Sequence, residues 1–268
     1  MRFVAPSRAA LDRGVLRRPP LAAWSEAADW ITATAFPSVA ELNRGWDQPW
    51  RFVEQTLQLL ADGLHYETRI HARAEIATRA DNWHDFFNAL IWRRHAPVKA
   101  ALNRRQVAEI ARMGDKQRSR AQCALTHFDE GGVIVVLREP GLLARWDAHD
   151  WRGLFWDARE AWDDGRIRVE VFGHALLEMA LVPDKLITGK AVAVLDENGA
   201  AMPAALTALA AAIDAGRLLN DPQELRALPI SGIPGWHAAN GDPAFYDAAE
   251  CFRPLRAGRV YPAPLRVP

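Results

Sequence analysis

Apolar and polar positions recur along this chain with two different periods, and the switches between them outline a mixed fold. From Pro49 to Asp62, Phe52, Val53, Leu57, Leu59 and Leu60 are spaced for one helix face, with Gly63 as the stop. Tyr66-Glu67-Thr68-Arg69-Ile70 reads as a short strand. Trp83 to His95 predicts a strong helix, capped by Asp81 or Asn82 and ended by Pro97, and Lys99 to Met113 a second one. Ala124–Phe128 and Val133–Leu137 flank Asp129-Glu130-Gly131-Gly132, which predicts a hairpin. Leu142 to Trp162 has helical spacing. Ile167, Val169 and Val171 alternate with Arg168 and Glu170, as in a half-buried strand. Gly173 then turns the chain into a short helix through Leu181, ended by Pro183. Ala191–Leu195 predicts a further strand, and Pro203 to Gly216 a helix with proline in its first turn and Leu206, Leu209 and Ile213 inward. The expected architecture is α+β: one domain over residues 24–252, its helices packed on a small, largely antiparallel sheet. Residues 1–23, with Pro6, Pro19 and Pro20 and no periodicity, predict an irregular arm, and residues 253–268 a Pro-rich tail.

Composition narrows the partners more than the chemistry. The 268 residues carry 33 basic and 33 acidic side chains, so no overall field favours nucleic acid or an anionic membrane. Cys123 and Cys251 are too few for a disulfide scaffold or a cysteine zinc module. Charge and proline occupy the N-terminus where a signal peptide needs an apolar run. The uncharged run Gly199–Ile213 contains Pro203 and falls short of the roughly 20 residues a bilayer span needs. The expectation is a cytoplasmic protein without a membrane anchor; its oligomeric state is not legible.

Common catalytic signatures are missing. Thr188-Gly189-Lys190-Ala191 lacks the upstream glycine and the hydroxyl of a P-loop, and there is no G-x-G-x-x-G, G-x-S-x-G, C-x-x-C or H-E-x-x-H. What remains is a set of polar clusters against apolar elements. On the Trp83–Trp92 helix, His84, Asn88 and His95 fall within about 40° of one another, with Trp92 beside them. The ordinary alternative is a buried hydrogen-bond cluster. His174 and Glu178 stand at i and i+4 on a helix that comes after a strand, a spacing that can offer a nitrogen and a carboxylate to one divalent ion; a plain side-chain hydrogen bond is the alternative. Asp129 at the expected turn is a candidate base or ligand, with His127 on the same side, although a turn wants Asp and Gly on backbone grounds alone. Lys99, Arg104, Arg105, Arg112, Lys116, Arg118 and Arg120 face only Glu109 and Asp115, which makes an anion site or an internally paired face. Trp146, Trp151, Trp156 and Trp162 obey no helical period and read as packing.

Several blocks resemble one family. They are Asn82-Trp83-His84-Asp85-Phe86-Phe87-Asn88-Ala89-Leu90-Ile91-Trp92, Pro97 with Lys99, Ala101-Leu102-Asn103, Ala124-Leu125-Thr126-His127-Phe128-Asp129-Glu130, Phe172-Gly173-His174-Ala175-Leu176-Leu177-Glu178, Ile187-Thr188-Gly189-Lys190-Ala191 and Phe252-Arg253-Pro254. Together they resemble the bacterial domain-of-unknown-function family numbered 3025, over roughly residues 40–255. The resemblance implies a bacterial single-domain protein and carries no activity, substrate or cofactor. Where the usual form has an aromatic before the proline, this chain has His95-Ala96.

The reading that joins these clusters is a metal-assisted hydrolase of a phosphate or acyl ester. His84, His174, Glu178 and Asp129 are its expected catalytic groups, with His84, His174 and Glu178 on one divalent ion. Asn88, Trp92, Lys99 and Arg120 are the expected substrate contacts. The alternative is a non-catalytic protein that binds a small molecule or a partner, with the Arg-rich helix as an anion site. Binding of nucleic acid through that helix is the weakest reading.

Overall fold

The long buried run Gly132–Leu137 forms the centre of the structure. A computed structural model describes residues 3–114 and 117–267, so Asp115 and Lys116 of the basic stretch, and Met1, Arg2 and Pro268 at the ends, lie outside the described residues. The strands are β1 (Arg51–Glu54), β2 (Glu75–Thr78), β3 (Gly132–Leu137), β4 (Ile167–Val171), β5 (Thr188–Leu195), β6 (Arg226–Pro229) and β7 (Leu265–Arg266). β1 and β2 pair in parallel as a separate ribbon. The main sheet has the order β4-β3-β5-β6, and β7 extends β5.

The fold is α+β, as expected, but the main sheet is mixed and not largely antiparallel. β3 runs antiparallel to β4 and parallel to β5; β5 runs antiparallel to β6 and parallel to β7. β4 occupies the edge, so the chain crosses over to reach the far side of β3 before β5 begins. Every residue of β3 is buried, the mark of a central strand covered on both faces.

One helix organises the rest. Trp83–Met113 runs for 31 residues and packs against the helices Tyr66–Arg73, Arg120–Gly131, His174–Met179 and Met202–Asp214. Asn82 caps it by accepting from the Asp85 N–H at 3.0 Å. Pro97 kinks this helix instead of ending it: His95 leaves helical geometry (φ −126°, ψ 36°) because proline has no N–H for the carbonyl four residues back. The helix is buried on two sides. Phe86, Phe87, Leu90 and Ile91 enter the main core, while Ala89, Trp92 and Ala96 join a second cluster with Phe52, Ile70 and Ile76.

Three local expectations are corrected. Within Pro49–Asp62, the first part is strand β1, because Phe52 is held by both amide groups of Asn43 (2.9 Å each) and buried against β2; only Leu57–Leu60 is helical. Tyr66–Arg73 is a helix and not a strand; His65 caps it and it stops at Ala74 in the left-handed region (φ 55°), with no glycine to signal the end. The hairpin is absent. Ser119 and Gln122 form a capping box that starts the helix Arg120–Gly131, and β3 continues from it without a loop.

The N-terminal arm consists of short 3-10 turns that bury Val15, Leu21 and Trp24 in the main core. It is tied to the long helix where the Trp83 indole N–H donates to the Pro6 carbonyl at 2.8 Å. Trp146 and Trp151 are buried as packing groups.

The junction between Gly132 and Gly173 fixes where two of the helices meet. Phe172 and Gly173 donate backbone N–H groups to the Gly132 carbonyl at 3.0 and 2.8 Å. A Cβ on Gly173 would stand 2.4 Å from the Gly132 nitrogen and 2.5 Å from the Glu130 carbonyl oxygen. Gly173→Ala is therefore expected to lower stability by about 1–3 kcal/mol in urea unfolding, since backbone must move to admit the methyl. An unchanged midpoint would contradict the close approach.

Candidate active site

The glycine contact brings the end of the Arg120–Gly131 helix against the start of the His174–Met179 helix, and with it Asp129 beside His174. Both line a cavity of about 240 Å³ that also receives the inward stripe of the kinked helix: His84, Asn88, Trp92, Lys99, Asn103 and Gln106. Tyr66, Glu67 and Arg79 close it from the other side.

These side chains form a nearly continuous polar chain. Arg79 grips Asp85 with its guanidinium (2.6 and 3.0 Å) and its backbone N–H (2.8 Å). Asp85 Oδ1 lies 3.2 Å from His84 Nδ1, and His84 Nε2 lies 3.0 Å from His174 Nε2. His174 Nδ1 is 3.9 Å from Asp129 Oδ2 and has no hydrogen-bonding partner at normal distance among the described residues. Asp129 accepts from Lys99 Nζ at 2.5 Å, Lys99 donates to Asn88 Oδ1 at 2.8 Å, and Asn88 donates to the Tyr66 hydroxyl at 2.9 Å. Beyond these, Asn103 donates to the Glu67 carboxylate at 2.6 Å.

The geometry dictates where protons sit. Asp85 is an acceptor, so His84 Nδ1 carries a proton, and its Nε2 accepts from His174 Nε2–H when both rings are neutral. If the pair gains a proton, His84 donates on both sides and the Nδ1–H of His174 turns to Asp129. One proton can thus be taken up with little movement of either ring. His84 is the accessible member, its side chain 38% exposed, and His174 is buried behind it.

Environment separates the acids in this cavity. Burial raises the proton affinity of Asp129, but Lys99 and His174 outweigh it and hold the carboxyl below its ordinary range. Burial likewise opposes ionisation of Asp85, and His84 and Arg79 overcome it to keep the group well below the usual carboxylate range. Glu67 goes the other way: burial pushes it up to about 7, with the Asn103 hydrogen bond offsetting only part. Burial drives the His174 imidazole down to about 3 despite Asp129, and it raises the Tyr66 phenol well above its ordinary value.

The structure brings together His84, Asn88, Trp92, Lys99, Asp129 and His174 of the expected residues. It does not bring Arg120 or Glu178 to the cavity lining. Arg120 pairs with Asp221 on the surface, and Glu178, on the turn after the cavity's His174, acts electrostatically on Arg79. His95 leaves the stripe at the kink and bonds Glu170 at 2.9 Å. His127 and Asp129 are two apart on a helix and therefore diverge; His127 is exposed. The Arg-rich stretch is internally paired: Arg104 with Asp214, Arg105 and Arg112 with Glu109, and Lys99 with Asp129. Tyr66 and Glu67 were missed because a strand reading of 66–70 hid the helix that turns Glu67 inward, and Arg79 because its role comes from Asp85, six residues on, to which it is folded back.

His84 Nε2 and His174 Nε2 are the groups able to hold a metal ion, since two nitrogens bonded to one ion at roughly 2.1 Å stand about 3 Å apart. Among the described residues no group of three His, Cys, Asp or Glu side chains is placed to hold one.

Residues 50–256 match the family described as protein of unknown function (DUF3025), and the chain belongs to that family. No curated protein and no solved structure gives a match.

The opposed shifts predict a pH signature. Folded His174 stays neutral down to about 3 while the unfolded chain takes that proton below 6.5, so its contribution is present above 6.5 and lost as pH falls. Folded Glu67 keeps its proton up to about 7 while the unfolded chain releases it above 4.5, so its contribution is present below 4.5 and lost as pH rises. From pH 4.5 to 6.5 the two slopes oppose, each at most about 1.4 kcal/mol per pH unit, with Glu67's reduced by its solvent contact. In urea titrations over this range, Glu67→Gln is expected to make stability climb more with pH than in the parent, and His174→Gln to make it climb less or decline. Identical slopes in all three proteins would refute the assignment.

Proposed function

We propose that this protein is an enzyme and that the cavity hydrolyses a small polar ester by acid–base chemistry. The observation that carries the reading is the separation of proton affinities within one cavity: an ionised Asp129 beside Lys99, a Glu67 that titrates near neutrality, and two imidazoles in contact. A binding pocket has no need of such a division, whereas a reaction that both removes and delivers a proton does.

In this reading an attacking water takes the place of His174 Nε2–H at His84 Nε2 and gives its proton to that nitrogen, while Asp85, which Arg79 holds, keeps the His84 ring oriented through Nδ1–H. The added charge spreads to His174, and Asp129 stabilises it from behind. Glu67 in its acid form protonates the departing oxygen. Lys99 faces the negative charge that builds on the carbonyl or phosphoryl oxygen, and Asn88 keeps the ammonium in place. A cavity of about 240 Å³ takes a metabolite-sized molecule or the head of a longer one.

A second reading rests on the 3.0 Å approach of the two imidazole nitrogens: they hold one divalent ion that activates the water, as in a metallohydrolase, with the remaining positions filled from outside the chain.

A panel of small acyl and phosphate esters tests both. His84→Asn and Glu67→Gln are expected to lower kcat by about 10²–10⁴-fold, with the unfolding midpoint at pH 7 close to the parent's in His84→Asn and above it in Glu67→Gln, which has no buried carboxyl to ionise. Turnover that survives both substitutions would overturn the acid–base assignment, and a parent protein that turns over no ester in the panel would sink the enzyme reading. Metal content of the untagged protein decides between the two: stoichiometric zinc or manganese that disappears in His174→Ala supports the second, and activity unaffected by chelator supports the first.

A further inference from the structure

Many arginines of this chain meet a carboxylate, and against that pattern one region stands apart. A concavity of about 780 Å³ lies between the C-terminal segment and the β5–β6 edge, sharing no lining residue with the cavity around His84 and His174. Lys190, Arg253, Arg256 and Arg259 line it, against the single carboxylate Glu250. Several exposed arginines elsewhere are paired, as in Arg104–Asp214, Arg120–Asp221 and Arg166–Glu139, and exposed cations without an ion pair, such as Arg17, Arg44 and Arg217, are not gathered in one concavity with three others. None of the four groove cations is in an ion pair with a described residue. In a chain with equal numbers of acidic and basic groups, this is a local excess of positive charge, which Asp221, already paired with Arg120, offsets only at Arg259.

The groove is also held in shape. His149 Nδ1 and the Trp151 indole N–H both engage the Arg253 carbonyl, at 3.0 and 2.8 Å. His149 Nε2 meets the Tyr261 hydroxyl at 3.0 Å, and buried Arg226 donates to the Pro262 carbonyl at 2.7 Å. The guanidinium carbons of Arg226 and Arg259 lie 5.0 and 4.6 Å from the centroid of the Tyr261 ring. β7 then pairs with β5. On β5, Thr188 and Lys190 face outward while Gly189 and Ala191 are buried, so strand alternation presents the lysine to the groove. The backbone that carries three arginines is thus fixed, and the guanidinium of Arg256 makes no hydrogen bond or ion pair with a described residue.

We propose that this groove binds a phosphorylated small molecule of nucleotide size. Guanidinium forks match phosphate oxygens in geometry as well as charge. The volume falls within the roughly 300–1,000 Å³ of sites that enclose a small ligand. The proposal is independent of the ester-hydrolase reading of the cavity.

Titration calorimetry with inorganic pyrophosphate, ATP and adenosine tests it, using the full chain and an R253Q/R256Q double variant. Expected are saturable binding of pyrophosphate and ATP, none of adenosine, and at least about tenfold weaker binding in the variant and at high salt. Because the Arg256 guanidinium holds nothing in the fold together, R256Q alone serves as a variant that keeps its structure, and its unfolding midpoint should match the parent's. Three results would overturn the proposal: no heat with either phosphate compound at about 5 mM, binding unchanged in the variant, or tighter binding of polyglutamate or a single-stranded oligonucleotide, which would assign the groove to a macromolecule.

Discussion

A buried ammonium and a carboxylate that is 24% exposed hold this site in place. Lys99 is 4% exposed, and its Nζ joins Asp129 on one helix to Asn88 on the far side of the kink in its own. Taking two charges out of water is costly, and removing either partner strands the other, at a typical cost of about 3–5 kcal/mol. The pair therefore constrains its surroundings more than it stabilises them. It fixes the angle between the halves of the kinked helix, and it pins the end of the Arg120–Gly131 helix at the position where the Gly132–Gly173 contact brings His174 alongside. Burial sets the neutrality of His174 and the high proton affinity of Glu67, and the ammonium acts on both as well as holding Asp129 ionised.

Two architectural devices make the cavity possible. Burying the long helix on two faces leaves its polar stripe between two apolar clusters, where water is scarce and side-chain charges interact strongly. The kink then diverts His95 to Glu170 while Lys99, Asn103 and Gln106 return to the cavity, so one discontinuity separates a structural histidine from the site. A straight helix would have carried all of them past the same wall.

Much of the site was legible because it lies on one helix. His84, Asn88 and Trp92 are four residues apart, and polar groups on so apolar a segment stand out; Lys99, expected on a second helix after Pro97, joins them because the helix kinks and continues. Asp129 and His174 were legible as residues and not as geometry: the capping box of Ser119 and Gln122 was the overlooked signal that Asp129 ends a helix. Glu67 was hidden because its helix stops at a left-handed alanine, where no glycine announces the end. Phe52 looked helical because strand β1 is made by pairing with β2 and by Asn43, partners that a local window does not contain. The mixed sheet escaped for a related reason, although the unbroken apolar run of β3 carries the signature of a strand covered on both faces. Neutral total charge concealed most of all. Within it, Arg104, Arg105 and Arg112 of the basic stretch are paired with carboxylates, while the segment that reads as an irregular tail brings three arginines into one concavity.

The central claim is that His84 and His174 act as one proton-sharing unit, sealed from water on the His174 side by the Lys99–Asp129 pair. The most direct measurement is the ring nitrogen NMR of His174 from about pH 5 to pH 8. The account predicts a neutral ring throughout, its single proton passing from Nε2 to Nδ1 as the pair takes up a proton. A ring that titrates fully near the ordinary 6.5 would place His174 in water and contradict the buried chain from which the acid–base reading is built.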